Sequence, residues 1–268
     1  MNALWSTPVR EYMSKSLVTV RDDAPLAEVQ DLLEQREISA APVVDAAGQL
    51  VGIVSSSDLL RVARVEVSLT GFGQSILFPS PPKLAREVMR KDVVTIDEDE
   101  PLRDAARAMI RHHIHRVVVS RNGAPVAILS TRDAMRAVLF HHIETPLEAV
   151  MTTPVDTIDL GAPIHEAIER LTDANVRGLV VVDGEWPVGV FTHGEALKAR
   201  SLPREMLARP VEQVMSYETI CLDVSTPLYR VAGHAIQMRV RRILAVHGRR
   251  LRGIVSGYDL VRVMTMDL

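Results

Sequence analysis

Gly52-Ile53-Val54-Ser55-Ser56-Ser57-Asp58 has three counterparts further along the chain. They are Ala127-Ile128-Leu129-Ser130-Thr131-Arg132-Asp133, Gly189-Val190-Phe191-Thr192-His193-Gly194-Glu195 and Gly253-Ile254-Val255-Ser256-Gly257-Tyr258-Asp259. Each opens with an apolar, largely β-branched run, which reads as the end of a buried strand. Each then places a hydroxyl three residues before an acid, the signature of a helix start. Ala127 replaces glycine in the second copy, and Glu195 replaces aspartate in the third.

Further markers keep the same register. Methionine stands at Met13, Met89, Met151 and Met215, and a proline follows twelve residues later at Pro25, Pro101, Pro163 and Pro227. Twenty-five residues after each methionine comes Ile38, Ile114, Val176 or Val240. The hydroxyl follows at an offset of forty-one, or forty-two in the first copy, whose extra residue is expected in the loop Asp45-Ala46-Ala47-Gly48. A fixed period of this kind is the mark of a repeat architecture. The fold class expected is α/β (α+β), with four tandem βαββα repeats spanning 8–63, 84–140, 146–200 and 210–265.

Within a repeat, Leu17 to Val20 reads as a strand, and Pro25 as a helix start where fixed φ and a missing N–H are tolerated. Leu26, Val29, Leu32 and Leu33 then fall on one helical face. A hairpin follows, from Pro42-Val43-Val44 to Leu50 through Val54, and a helix over Asp58 to Val62 closes the repeat. A unit of about fifty residues buries too little surface to stand alone, so the repeats are expected in two pseudo-twofold pairs packed sheet to sheet. Arg64 to Leu84 reads as the connection within the first pair. His141 to Thr145 and Ser201 to Arg209 join the later copies.

Composition narrows the function. The chain of 268 residues is 47% hydrophobic and 24% charged, ordinary for a protein with a sizeable core. Its 34 acidic and 31 basic residues leave a net charge of −3, which offers no global attraction to nucleic acid or an anionic membrane. The lone Cys221 excludes an intrachain disulfide framework, and the first residues carry no secretory pattern; no apolar run is long enough to span a bilayer. A cytoplasmic protein is expected, with no membrane contact.

The four strings and the repeat order resemble the cystathionine-β-synthase (CBS) domain family, whose tandem pairs are called Bateman modules. The resemblance covers nearly the whole chain. It implies a regulatory module without catalytic residues, binding AMP, ADP or ATP between paired repeats, with no required cofactor. By the same resemblance the hydroxyls Ser55, Ser130, Thr192 and Ser256 would touch phosphate, and Asp58, Asp133 and Asp259 would receive the ribose hydroxyls. A helix N-terminus suits an anion, and a carboxylate has two oxygens for a vicinal diol. The competing reading is that each string is a capping box and nothing more. Glu195, the longer acid, suits the cap better than the ribose, so the third site is expected to be vacant.

His112-His113-Ile114-His115-Arg116 is similar to a His-Arg string in the AMP-activated protein kinase γ subunit, which implies phosphate contacts from His115 and Arg116. The equivalent positions are Ser39-Ala40, Arg177-Gly178 and Arg241-Arg242. Basic residues of one repeat would then serve the string of its pair: His115 and Arg116 beside Ser55 and Asp58, and in the second pair either Arg177 beside Ser256 and Asp259 or Arg241 and Arg242 beside Thr192. The histidines, including His141-His142, lack cysteine or carboxylate partners at ligand spacing, so no metal site is expected. The arginines at 239, 241, 242, 249, 250 and 252 form the strongest local charge, but aromatic residues make up only 4% of the chain, which argues against base stacking. The alternatives are a structural or oligomerising scaffold without ligand, or a nucleic-acid module using the fourth repeat. The regulated protein partner is not legible, and a single-chain disc and a homodimer both remain open.

Overall fold

The computed structural model describes residues 5–59 except 15, 37 and 57, residues 83–173, and residues 178–266 except 201. The segment 60–82, including nearly all of the expected connection in the first pair, and Arg177 lie outside the described residues. Two compact bodies emerge: one spans Thr7–Leu129, and the other joins Trp5 and Ser6 to the residues from Ser130 onward.

The described residues form four three-stranded sheets and eight helices, in the order strand, helix, strand, strand, helix. The first sheet holds β1 (Val20–Arg21), β2 (Ala40–Val44) and β3 (Leu50–Ser55), with α1 (Leu26–Gln35) between its first two strands. The second holds β4 (Thr95–Asp97), β5 (Arg116–Arg121) and β6 (Ala124–Ser130); α2 (Ala85–Val88) and α3 (Leu102–Arg111) precede and interrupt it, and α4 (Thr131–Phe140) follows. The third holds β7 (Thr157–Asp159), β8 (Gly178–Asp183) and β9 (Trp186–Thr192), with α5 (Ile164–Asp173) and α6 (His193–Arg200). The fourth holds β10 (Thr219–Asp223), β11 (Arg242–His247) and β12 (Arg250–Ser256), with α7 (Leu228–Gln237) and α8 (Gly257–Val263). In each sheet the first strand is parallel to the second, as a helical crossover requires.

Local chemistry accounts for the element ends. Pro25, Pro101 and Pro227 are extended N-caps, one residue earlier than a first helical position, with ψ between 143° and 144°. β1 begins only at Val20, where the parallel register opposite Val43 starts, so Leu17 to Thr19, expected in the strand, lie before it. Asn122-Gly123 turns the second hairpin with φ of 52° and 81°, a two-residue turn that only such residues tolerate easily. The first hairpin uses Asp45 to Gln49 instead. The Asp45 carboxylate accepts the Ala47 and Gln49 amides at 2.9 and 2.8 Å, which gives the additional residue a place.

Neighbouring repeats exchange their leading segments. In the first body the Leu26 amide donates to the Lys83 carbonyl and the Ala85 amide to the Ala24 carbonyl; reciprocally, Leu102 donates to Thr7 and Val9 to Glu100. Ala85 and Val88 of the second repeat's leader complete the first repeat's core of Val20, Val29, Leu33, Ala41, Val43 and Val54. The second body repeats the arrangement, with Val211 and Met215 completing the core around Leu179, Val181 and Phe191. Val180 faces the other way and packs with Val190 on Leu244 of the fourth repeat. Both faces of β8 are therefore buried, which explains its unbroken apolar run.

The glycine that opens three of the four strings belongs to this exchange. A Cβ on Gly52 would collide with Met89, one on Gly253 would lie 2.6 Å from the Met151 sulfur, and one on Gly189 would lie 2.7 Å from the Ser216 carbonyl. The missing side chain admits the partner's methionine and lets two backbones bond reciprocally, as between Val190 and Ser216 at 2.8 and 2.9 Å. At Ala127 the pairing changes. Ser14 still donates to the Ile128 carbonyl, but the Ile128 amide turns to the Ser14 hydroxyl at 3.0 Å. Gly189→Ala should destabilise the protein by about 1–3 kcal/mol through overpacking. Chemical denaturation checks this, and a Gly189→Ala midpoint equal to that of the wild type would contradict the account.

Candidate functional site

Each hydroxyl ends a strand, and each acid lies in the first turn of the helix that follows. In the first repeat the Ser55 amide and hydroxyl both donate to Asp58 Oδ2, at 3.0 and 2.5 Å. In the second, Ser130 does the same to Asp133 at 2.8 and 2.7 Å, and in the fourth Ser256 does so to Asp259 at 2.8 and 2.7 Å. The Thr192 amide donates to Glu195 Oε2 at 3.0 Å, and the threonine hydroxyl donates to the same oxygen. The second and fourth strings are complete capping boxes, and in the first and third the acid closes in the same way on the amide and hydroxyl three residues before it. This geometry satisfies helix-end donors that would otherwise be orphaned.

The second carboxylate oxygen distinguishes the copies. Asp58, only 2% exposed, turns Oδ1 toward the Arg90 guanidinium at 3.5 Å. Asp133 Oδ1 pairs with Arg136 at 2.6 Å, one turn along its own helix. Asp259 Oδ1 accepts the Thr152 hydroxyl at 3.1 Å, with Arg262 3.9 Å away. Arg90 and Thr152 both come from the leader of the partner repeat, one residue after its methionine. Sequence reasoning passed over them although the repeated methionine already marked the position.

Around Ser55 the first body gathers more. Arg116 of the second repeat donates to the Ser39 hydroxyl at 3.2 Å, and the Ser39 carbonyl accepts the Ser56 amide at 3.1 Å. Ala40, the next residue, stands opposite Ser55 in the β2–β3 register. The Arg116 guanidinium therefore reaches the strand end that carries the box. His115 beside it is exposed.

In the second body, Arg242 opens β11 opposite Ser256. Side chains two apart on a strand share a face. Arg242 thus shares a face with Leu244, Thr192 shares one with Val190, and Leu244 and Val190 pack together. Arg242 and the Thr192–Glu195 box consequently look toward each other. Burial pushes the Arg242 guanidinium below its ordinary pKa, while the negative Glu195 raises it and Arg241 lowers it. Arg241 is exposed. Gly178 lies opposite Thr192 and brings no side chain. Arg177, expected beside Ser256, lies outside the described residues.

Two other sequence features separate on the fold. The arginines of the fourth repeat divide between the two ends of a hairpin: Arg241 and Arg242 stand at the box end, while Arg249 and Arg250 lie at the turn, where Arg250 pairs with Glu185 at 2.7 Å. Five residues of strand put these ends roughly 17 Å apart, so they do not form one basic patch. His112 caps α3 and His113 adopts φ 52°, so both serve the turn into β5. Among the described residues no group of three His, Cys, Asp or Glu side chains could hold a metal ion. No described helix is long and apolar enough to cross a membrane.

Comparison with known proteins agrees with this geometry. A family model for the CBS domain matches residues 9–64, 85–140, 147–202 and 211–265. The uncharacterised protein MJ1404 of Methanocaldococcus jannaschii is 26% identical over 98% of this chain, which spans 63% of that protein's length. The crystal structure of MJ1225 from the same organism superposes with a TM-score of 0.74 at 18% identity, covering 96% of this chain and 99% of that one. An uncharacterised conserved protein of Pyrococcus horikoshii gives a TM-score of 0.69 at 22% identity, covering 96% and 100%. At these identities the two structures speak for the fold alone. With four matched copies over most of its length, each built on a Ser/Thr–Asp/Glu box and an exchanged leader, the chain belongs to the CBS domain family.

Proposed function

We propose that the protein is a regulatory sensor of adenine nucleotide, AMP, ADP or ATP, with its best-equipped site at the Ser55–Asp58 box. The observation that carries this reading is the meeting of two guanidinium groups from the second repeat with the box of the first. Arg90 faces Asp58 at 3.5 Å, and Arg116 is held on Ser39 at 3.2 Å. A buried carboxylate flanked by cations suits a ligand that carries a diol and a phosphate together. Arg116, the Ser55 hydroxyl and the start of the helix would share the phosphate; the Asp58 oxygen that faces Arg90 would receive a ribose hydroxyl. Charge-assisted hydrogen bonds of this kind are worth about 1.5–3 kcal/mol each.

The third box is the poorest candidate. Glu195 is longer than the aspartates, and the charge of Arg242 is already answered by it. The fourth box, Ser256 and Asp259, has Thr152 as its neighbour in place of an arginine. The repeats therefore offer unequal sites, and nucleotide would bind at fewer than four. Binding across paired repeats would favour one arrangement of the pair over another, and a partner protein would read that difference. A second reading, a scaffold without ligand, is favoured by the closure of every box on its own helix.

Thermal melting with AMP, ADP, ATP and S-adenosylmethionine separates the two. A ligand at 100 times its Kd stabilises by about 2.7 kcal/mol, a shift of several degrees. No shift with any of the four at millimolar concentration would leave only the scaffold. Where a shift is found, Arg116→Ala should raise the Kd about tenfold or more, the equivalent of one charge-assisted bond. An unchanged Kd in that variant would remove Arg116 from the site.

A further inference from the structure

α4 and α7 lie side by side in the second body and run in opposite senses: Leu139 lies against Gly233, and the His142 ring stacks on Tyr229 with centroids 3.7 Å apart. On α4 the residues from Asp133 to Met135, with Ala137 and Val138, are buried, which leaves Arg132, Arg136, Leu139 and Phe140 as one outward stripe. On α7 the buried residues are Leu228, Val231, Ala232 and Ala235, and the outward stripe is Arg230, His234, Gln237 and Met238. The two stripes share one spacing, with basic residues first and an apolar residue last. Because the helices are antiparallel, the apolar end of each stands beside the basic end of the other.

Leu139, Phe140 and Met238 are 39%, 77% and 57% exposed, and among the described residues only Tyr217 is a comparably exposed large apolar side chain. The exposed apolar surface is thus gathered on one helix pair. Leu139 Cδ1 lies 3.5 Å from where a Gly233 Cβ would stand, so the missing side chain leaves a shallow saddle where the stripes meet. Met238 lies five residues beyond Gly233, and Phe140 one residue the other way, about 9 Å apart along the axes and one helix spacing across. The charge on this face is of one sign. α7 contains no acidic residue, and the one acid of α4, Asp133, is 6% exposed and occupied in its cap. Arg230 is held in place, its Nε donating to the Tyr229 hydroxyl at 3.0 Å and its guanidinium 5.7 Å from that ring's centroid. The face is basic although the whole chain carries −3.

We propose that the α4–α7 face docks an acidic amphipathic helix of a partner protein, independently of any nucleotide. The helix would lie diagonally across the Gly233 saddle, with one apolar side chain on Leu139 and Phe140 and a second on Met238. That diagonal is roughly 12–13 Å, a little over two turns, so the two anchors stand seven or eight residues apart. Carboxylates flanking them would meet Arg230 and His234 on one side and Arg132 and Arg136 on the other. Charge decides against a second copy of this chain, since twofold pairing of the face would set arginine against arginine. A phosphate backbone would answer the arginines but leave three apolar side chains in water. A bilayer finds too little apolar area here, because interfacial binding grows with the area buried.

The test is fluorescence anisotropy of the full chain with a labelled helical peptide of about eighteen residues, long enough to hold its turns. Its design sets leucines seven apart on one face with glutamates flanking them; a scrambled peptide and a glutamate-to-lysine peptide are the controls. The acidic peptide should bind in the micromolar range, more weakly as salt is raised, and neither control should bind. Phe140→Ser and Arg230→Glu should each raise the Kd about tenfold or more, as loss of an interface anchor does. Both side chains are exposed, and either variant alone decides the matter if the other fails to fold. No binding at millimolar peptide, or binding that neither substitution weakens, would overturn the proposal. So would a dimer of the wild type in sedimentation that Phe140→Ser dissolves, or binding of anionic vesicles or a single-stranded oligonucleotide that these substitutions abolish.

Discussion

A missing side chain holds each pair of repeats together. Where Gly52, Gly189 and Gly253 stand, the methionine-bearing leader of the partner repeat lies directly on the strand, too close for a Cβ. That approach lets two backbones exchange hydrogen bonds and carries apolar residues such as Val88 and Met215 into the partner's core. A three-stranded sheet with one helix beside it cannot bury its own surface. The exchanged leader closes the core on the helical side, and contact between sheets, as between Val180, Val190 and Leu244, closes the other. The same leader delivers Arg90 and Thr152 to the carboxylates of the neighbouring repeat. Fold and candidate site thus depend on one contact.

The carboxylate at the head of each helix has two uses for its two oxygens. One accepts the amide and hydroxyl of the strand-ending residue, and this capping is common to all four repeats. The other is answered differently each time, by Arg90, Arg136 or Thr152. A cap needs only the first oxygen, so the first is uniform and says nothing of ligand. The variation lies at the second, where a ligand hydroxyl would compete with a neighbour already present. Both arginines are exposed, but Arg136 pairs closely with Asp133 along its own helix at 2.6 Å, whereas Arg90 reaches Asp58 from the partner repeat at 3.5 Å. This asymmetry favours the first box in the nucleotide reading proposed above.

Much of the fold was legible because its signals are local. Offsets between Met13, Pro25, Ile38 and Ser55 recur along the chain, and hairpin turns such as Asn122-Gly123 declare themselves by composition. The capping geometry of Ser130 and Asp133 was likewise written in their spacing. The reason for the string's first glycine was not legible, since it depends on a methionine from another repeat. Nor was the role of Arg90 and Thr152, which become neighbours of Asp58 and Asp259 only when leaders are exchanged. The arginines of the fourth repeat misled in the opposite direction. They are adjacent in sequence but separated by the length of a hairpin, and Arg250 is spent on Glu185.

The central claim is that a helix-capping carboxylate serves also as the receptor for a ribose, with cations from the paired repeat receiving phosphate. A crystal structure of the full chain grown with ATP tests it most directly. The account predicts ribose hydroxyls on Asp58 Oδ1, Arg90 turned away from that oxygen, and phosphate within hydrogen-bond reach of Arg116 and Ser55, with the capping bond to Oδ2 intact. An unaltered Asp58–Arg90 contact with nucleotide bound elsewhere, or no nucleotide at all, would contradict it.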